Sequence, residues 1–138
     1  MNRFGIVSDG DASTHADSMR GEEIWWTKPG ILLPMLITMD DEPAGFANVA
    51  RPPHASPSVD YRMEDFFIVN KWRRAGVGRE AVRMIVEQYP GRWEVGWLSK
   101  NAPAEKFWRS SCARWNAQDW PVAQAPGTAS IPGLSFRV

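Results

Sequence analysis

An arginine- and glycine-rich segment, RRAGVG from Arg73 to Gly78, joins an apolar stretch to an amphipathic one and has the chemistry of an anion site. The first turn of a helix has unpaired backbone N–H groups and partial positive charge, which suit phosphate oxygens. Gly76 and Gly78 have no Cβ, so a diphosphate can approach the backbone closely. Lys71 and Arg79 add positive charge. The segment predicts a phosphate site, although solvated arginines also occur at ordinary helix starts.

Two well-known phosphate loops do not fit this segment. No Gly-Lys-Ser/Thr triplet follows, which excludes a Walker loop. The dinucleotide pattern G-x-G-x-x-G is incomplete because Ala81 takes the third glycine position. No acidic residue lies at the spacing expected for a ribose contact.

Acid–base chemistry would come from carboxylates just before the loop. Glu64 and Asp65 lie on one predicted strand, where successive side chains alternate, so only one faces a given side. We favour Glu64 as the base. The alternative is that neither carboxylate is catalytic and that they lie on a solvated face of the strand or pair with Arg62. His15 and His54 are further candidate bases, but both fall in loop-like segments, where a histidine is usually a surface residue.

The hydrophobic pattern predicts the elements that position these residues. Short apolar or alternating runs predict strands at Phe4–Val7, Ile31–Met39, Ala44–Ala50, Val59–Val69, Trp93–Leu98, Ala113–Trp120 and Leu134–Val138. Helical spacing predicts helices over Val77–Tyr89 and Asn101–Ser111. A further short helix is expected within Ala12–Trp26, with Asp11 or Ser13 as its N-cap. A strand–helix–strand crossover in the middle implies one parallel pair inside a mixed sheet.

Composition bounds the class of protein. The chain has 138 residues with sixteen basic and sixteen acidic side chains, which predicts one domain and no broad attraction to nucleic acid or membranes. Eight tryptophans are more typical of core packing than of a ligand cage. Cys112 is the single cysteine, so no internal disulfide forms. Without a recognisable signal peptide, and with Ile31–Met39 too short to span a bilayer, we expect a soluble cytoplasmic protein.

Two motifs together resemble a known superfamily. The run FFIV at 66–69, followed by R-x-x-G-x-G at 73–78 and an amphipathic helix, resembles the acetyl-CoA motif of the GNAT N-acyltransferases. Downstream, N-x-x-A-x-x-F-W at 101–108 is similar to the superfamily's N-x-x-A-x-x-F-Y segment. The resemblance covers Ile31 to Trp115.

The resemblance implies a fold and an activity. The fold would be α/β, with a mixed, mostly antiparallel sheet, a splayed central strand pair, flanking helices and a reduced N-terminal helical region. The activity would be transfer of an acetyl group from the cosubstrate acetyl-CoA to a primary amine by direct attack, without a metal. The acceptor would be a small-molecule or peptide amine.

The resemblance also implies which residues bind the cofactor. Strand residues would pair with the pantetheine arm, the loop would hold the pyrophosphate, and helix residues would line the thiol end. These residues are Phe67, Ile68, Val69, Arg73, Arg74, Gly76, Val77, Gly78, Arg79, Asn101, Phe107 and Trp108. A backbone N–H near Ile68 would polarise the thioester carbonyl.

The sequence departs from the superfamily pattern in two places. Trp108 stands where the family often has Tyr, and an indole N–H is no acid at neutral pH, so protonation of the thiolate falls to Ser111, Cys112 or water. Only thirty residues precede Ile31, so the helical region that would cover the acceptor site is reduced. The acceptor site would then be open, or the partner subunit of a homodimer would close it.

Two other functions are open to the sequence. One is a non-catalytic acyl-CoA-binding or regulatory domain, and the other is an interaction module whose arginines bind anionic partners.

Overall fold

Seven strands and two helices make up the part of the chain that the structure, a computed structural model, describes: residues 4–7, 31–73, 76–125 and 127–138. The strands are β1 (Phe4–Val7), β2 (Leu32–Met39), β3 (Glu42–Ala50), β4 (Tyr61–Ile68), β5 (Arg92–Gly96), β6 (Gln118–Asp119) and β7 (Gly133–Arg137). The helices are α1 (Val77–Gln88) and α2 (Ala102–Cys112). The helix predicted over Ala12–Trp26 lies outside the described residues.

The strands form one sheet in the order β1-β2-β3-β4-β5-β7-β6. Every neighbouring pair is antiparallel except β4 and β5, which are parallel and joined through α1. Parallel neighbours need such a crossover, whereas antiparallel neighbours can be joined by a tight turn. The β2–β3 hairpin turns at Asp40 and Asp41, which both have positive φ, as a two-residue hairpin loop requires. The predicted mixed, mostly antiparallel sheet is confirmed.

Both helices pack on one face of the sheet. Val82 and Ile85 of α1 share a buried core with Trp93 of β5, and Trp108 and Cys112 of α2 belong to the same core. The helices also contact each other. The apolar stripe of each helix is therefore buried against the strands, as its helical spacing predicts.

One predicted strand is wrong over most of its length. The chain from Ala113 to Trp115 is a 3-10 turn that continues α2, and Asn116 ends it in the left-handed conformation. Only Gln118–Asp119 forms a strand. The ring of Trp115 stacks on Phe136 of β7, with 5.3 Å between the ring centroids, and this contact is made from a helical turn. Tertiary packing, which the local pattern does not show, decides this segment.

The parallel pair separates soon after it begins. β4 and β5 are paired only at Tyr61–Trp93 and Arg62–Glu94, while β4 runs on to Ile68. On the other side, β4 stays paired with β3 up to Ile68. The β3–β4 register shifts at Glu64, which is the extra residue of a β-bulge. A bulge bends a strand and increases its twist, so it helps to turn β4 away from β5.

Close packing of β3 on β4 depends on a missing side chain at Gly45. A Cβ at this position would lie 2.0 Å from the carbonyl oxygen of Phe67, a backbone atom that cannot rotate away. We expect Gly45→Ala to lower the free energy of unfolding by about 1–3 kcal/mol, measured by urea denaturation.

Gly5→Ala is the matched control, because the nearest atom to its Cβ is the side-chain oxygen of Thr38, which can rotate. We expect a smaller loss of stability there. Equal losses at Gly5 and Gly45 would contradict the explanation by backbone contact.

Candidate active site

The open edge of β4 is the central feature of the site. The N–H of Val69 donates to the Ala44 carbonyl at 2.8 Å, so the peptide groups of Val69 point toward β3. Alternate residues of a strand direct their peptide groups to opposite edges. Those of Phe66 and Ile68 therefore face the space that β5 has left. An extended ligand can pair with such an edge as an added strand.

This geometry distinguishes the three strand residues predicted to meet the cofactor. The register places the peptide groups of Phe67 and Val69 toward β3, and only those of Ile68 toward the opening. The Ile68 carbonyl accepts a hydrogen bond from Nε of Arg73 at 2.8 Å. The N–H of Ile68 points to the same side, where a carbonyl oxygen of a bound ligand would meet it.

The loop lies at the strand–helix junction, as the sequence predicts. Gly76 is the N-cap of α1 and has φ of 79°, a left-handed conformation that glycine adopts at little cost. Among the described residues, and apart from the adjoining backbone, no atom lies within 4 Å of the position that a Cβ would take at Gly76. Arg74 and Ala75 lie outside the described residues. The N-terminus of α1, from Val77 on, therefore borders an exposed turn that can receive an anion.

Gly78 has a role that the sequence did not reveal. A Cβ at Gly78 would lie 2.9 Å from the ring of Phe107 in α2, so the missing side chain makes room for this ring. Phe107 in turn stacks on Phe66 at 5.7 Å, and Trp108 meets Phe66 edge-on at 5.3 Å. These aromatic rings fill the helix side of the opening between β4 and β5.

The basic side chains around the turn are held by nearby groups. The Arg73 guanidinium lies 5.2 Å above the Phe67 ring, in addition to its bond to Ile68. Lys71 pairs with the exposed Glu42 at 3.1 Å, and Arg79 donates to Oγ of Ser110. Exposed contacts of this kind contribute little stability, so they can yield to a phosphate group.

Glu64, the predicted base, has a mixed electrostatic environment. It is the bulged residue of β4 and lies beside Arg62, with 3.7 Å between Oε2 and Nη1 of the arginine. Partial burial raises the pKa of Glu64, and the neighbouring Asp65 adds to the rise, although Arg62 opposes it. Asp65 itself accepts a hydrogen bond from Asn48 at 3.0 Å. Burial near Glu64 favours a proton acceptor there, and the choice of Glu64 over Asp65 stays a prediction.

The two candidate acids, Ser111 and Cys112, are buried at the end of α2. Ser111 is 4% exposed, and its Oγ has no hydrogen-bond partner among the described residues. Cys112 is fully buried, which raises the pKa of its thiol to about 12. A thiol of this pKa stays protonated and is a poor nucleophile. Asn101 caps α2, because its Oδ1 accepts a bond from the Ala104 N–H at 3.1 Å.

Sequence reasoning missed Glu94. Its place between Trp93 and Val95 suggested an outward polar position on an alternating strand, yet the residue is 0% exposed. The carboxylate accepts four hydrogen bonds of 2.8–3.0 Å, from Arg62, Trp120 and two groups of Ser56. Burial alone would raise the pKa of Glu94, but these bonds hold it below the ordinary value. Nothing in the local pattern indicates this role, because the donors come from distant segments.

The fold and this opening agree with a known family. The sequence matches the acetyltransferase (GNAT) family over residues 6–113, more than half of the chain, so the protein belongs to that family. No curated protein sequence matches the chain. None of the helices in the described segments combines the length and apolarity needed to cross a bilayer.

Solved structures of acetyltransferases share the fold. An acetyltransferase from Thermus thermophilus superposes with a TM-score of 0.66 at 14% identity, covering 100% of this chain and 97% of that one. The ribosomal-protein-S18-alanine N-acetyltransferase of Escherichia coli gives 0.60 at 12% identity, covering 100% and 94%. A GNAT acetyltransferase from Elizabethkingia anophelis with acetyl-CoA bound gives 0.59 at 9% identity, covering 98% of each chain.

The burial of the Cys112 thiol predicts that acetyl transfer does not proceed through an acetylated cysteine. We expect Cys112 to resist iodoacetamide at pH 8 in the native protein and to react once guanidinium unfolds the chain, as read by intact mass spectrometry. Incubation with acetyl-CoA should leave no acetyl adduct on the native protein. A Cys112 adduct that forms and then disappears on addition of an amine would instead establish a covalent route.

Proposed function

We propose that the protein transfers an acetyl group from acetyl-CoA to a primary amine, carried by a small molecule or a peptide. The observation that carries the proposal is the unpaired edge of β4, which ends at an exposed, glycine-capped helix start. A long cofactor with amide groups at one end and a diphosphate at the other suits this order of features. The Elizabethkingia neighbour, which has acetyl-CoA bound, supports the same choice of cosubstrate.

The cofactor would lie along β4 with its diphosphate at the start of α1. Backbone N–H groups from Arg74 to Arg79 would donate hydrogen bonds to the phosphate oxygens. Arg73 would give up its hydrogen bond to the Ile68 carbonyl and bind a phosphate oxygen instead. The pantetheine arm would follow the β4 edge past Ile68. Phe107 and Trp108 would form the floor beneath the thiol end, because their rings lie in the gap beside Phe66.

The reaction would be a direct transfer. The amine nitrogen attacks the thioester carbonyl carbon, a C–N bond forms, and the C–S bond breaks to release the CoA thiolate. The N–H of Ile68 stabilises the developing oxyanion. Glu64 accepts the proton that the amine loses. The thiolate then takes a proton from Ser111 or from water.

A non-catalytic acyl-CoA-binding domain is the second candidate function. It is favoured by Trp108, a buried residue without a hydroxyl, where the family often has Tyr. This function predicts cofactor binding without turnover across a panel of amines. Measurable CoA release that depends on an amine would exclude it.

The cofactor loop can be tested at Gly76. We expect acetyl-CoA to raise the melting temperature of the wild-type protein through binding to the folded state. Gly76→Trp should abolish the rise, because the indole would occupy the exposed space before α1. Gly127→Trp is the matched control, since Gly127 also has positive φ and open space around it. Abolition by both variants, or by neither, would count against the proposed loop.

The base can be tested at Glu64. We expect Glu64→Gln to lower kcat about 100-fold and to retain the acetyl-CoA thermal shift. Only the ionised carboxylate accepts a proton, so wild-type activity should fall as the pH drops through the pKa of Glu64. Because that pKa is raised, the loss should begin at a higher pH than for an unperturbed glutamate.

Two controls accompany this measurement. Glu87→Gln removes an exposed carboxylate of α1 and should leave kcat unchanged. Ser111→Ala decides the acid: a loss of kcat would assign protonation of the thiolate to Ser111, and full activity would assign it to water. Unchanged kcat in Glu64→Gln would exclude Glu64 as the base.

A further inference from the structure

A buried ion pair lies where β4 and β5 separate. Arg62 and Glu94 are the last paired residues of the two strands, and Nε of Arg62 donates to Oε2 of Glu94 at 2.8 Å. Donors from outside the pair complete the site. The backbone and hydroxyl of Ser56 both donate to the carboxylate, as does the indole of Trp120. Buried ion pairs stabilise only when their remaining polar atoms are satisfied, and this carboxylate meets that condition.

Arg62 stands between two carboxylates of unequal burial. One edge of its guanidinium is bound to the fully buried Glu94, and another nitrogen lies 3.7 Å from the partly exposed Glu64. A third group of the side chain donates to the Ala123 carbonyl at 2.8 Å. The guanidinium is therefore fixed in place. The electrostatic effect on the Glu64 carboxyl group is that of Arg62 and Glu94 together.

We propose that Glu94 is a positioning residue, which holds Arg62 in place and offsets its charge so that Glu64 stays basic enough to accept a proton from the amine. The catalytic part of this inference rests on the proposed function. The electrostatic part does not, because it concerns only the ionisation of Glu64.

The charges around Glu64 make the inference specific. Arg62 and His54 favour its ionised form, whereas Asp65 and partial burial disfavour it. Glu94, on β5, binds the same guanidinium and carries the opposite charge. An opposite charge within about 4–6 Å lowers the pKa of a carboxyl group by about 1–3 units when nothing compensates it. Loss of the Glu94 charge would leave Arg62 uncompensated and make Glu64 a weaker base.

The test is a titration of Glu64 in the full chain. The carboxyl carbon of Glu64, assigned with Glu64→Gln, is followed by NMR against pH. We expect the midpoint to fall by about one pH unit in Glu94→Gln and to rise in Arg62→Met. Trp120→Phe is the matched control, because it removes one donor from the same carboxylate without changing any charge, and its midpoint should stay at the wild-type value.

The outcomes test this proposal separately from the proposed acetyl transfer. An unchanged midpoint in Glu94→Gln, or an equal shift in Trp120→Phe, would overturn it. Should Glu94→Gln fail to fold, the double variant Arg62→Met, Glu94→Met removes both charges, and its midpoint should stay closer to wild type than that of Arg62→Met alone. A double variant that shifts as far as Arg62→Met would also overturn the proposal. Because the NMR midpoint needs no turnover, failure of the acetyl-transfer proposal would show separately, as absent activity with the midpoints as expected.

Discussion

The divergence of β4 from β5 is the constraint on which the site depends. The two parallel strands are held together at Arg62–Glu94 and are not paired beyond it. A strand edge without a neighbour is normally a liability, because its N–H and C=O groups invite pairing with another chain. Here the edge lies inside the sheet and can pair with only an extended, narrow ligand. The same feature that weakens the sheet is the site that we propose for the cofactor.

Three features keep this opening in place. On one side, the bulge at Glu64 bends β4 while its pairing with β3 continues to Ile68. On the helix side, the rings of Phe107 and Trp108 pack against Phe66 and occupy the space between strand and helix. At the closed end, Arg62 and Glu94 fix the point of separation. Each feature uses a different force, namely backbone hydrogen bonding, aromatic packing and charge pairing.

Charge is arranged differently at the two ends of β4. The end near the loop carries the exposed cations Lys71, Arg73 and Arg79, whose contacts with neighbouring groups include the bond from Arg73 to the Ile68 carbonyl. The first half of β4 carries Glu64 close to Arg62, which is also paired with the buried Glu94. The proposed function therefore uses the loop end for the anionic cofactor and the first half of β4 for proton transfer.

Local pattern determined much of this protein. The amphipathic helix α1, the strand before the loop and the glycine turn at the helix start follow from periodicity and turn chemistry, which act between near neighbours in sequence. Tertiary structure alone decided the rest. The turn at Ala113–Trp115, the seat for Phe107 at Gly78 and the buried Glu94 depend on Phe136, α2 and Trp120, which lie far away along the chain. A buried charge can be recognised only once its partners are in place, because no single segment of sequence contains them.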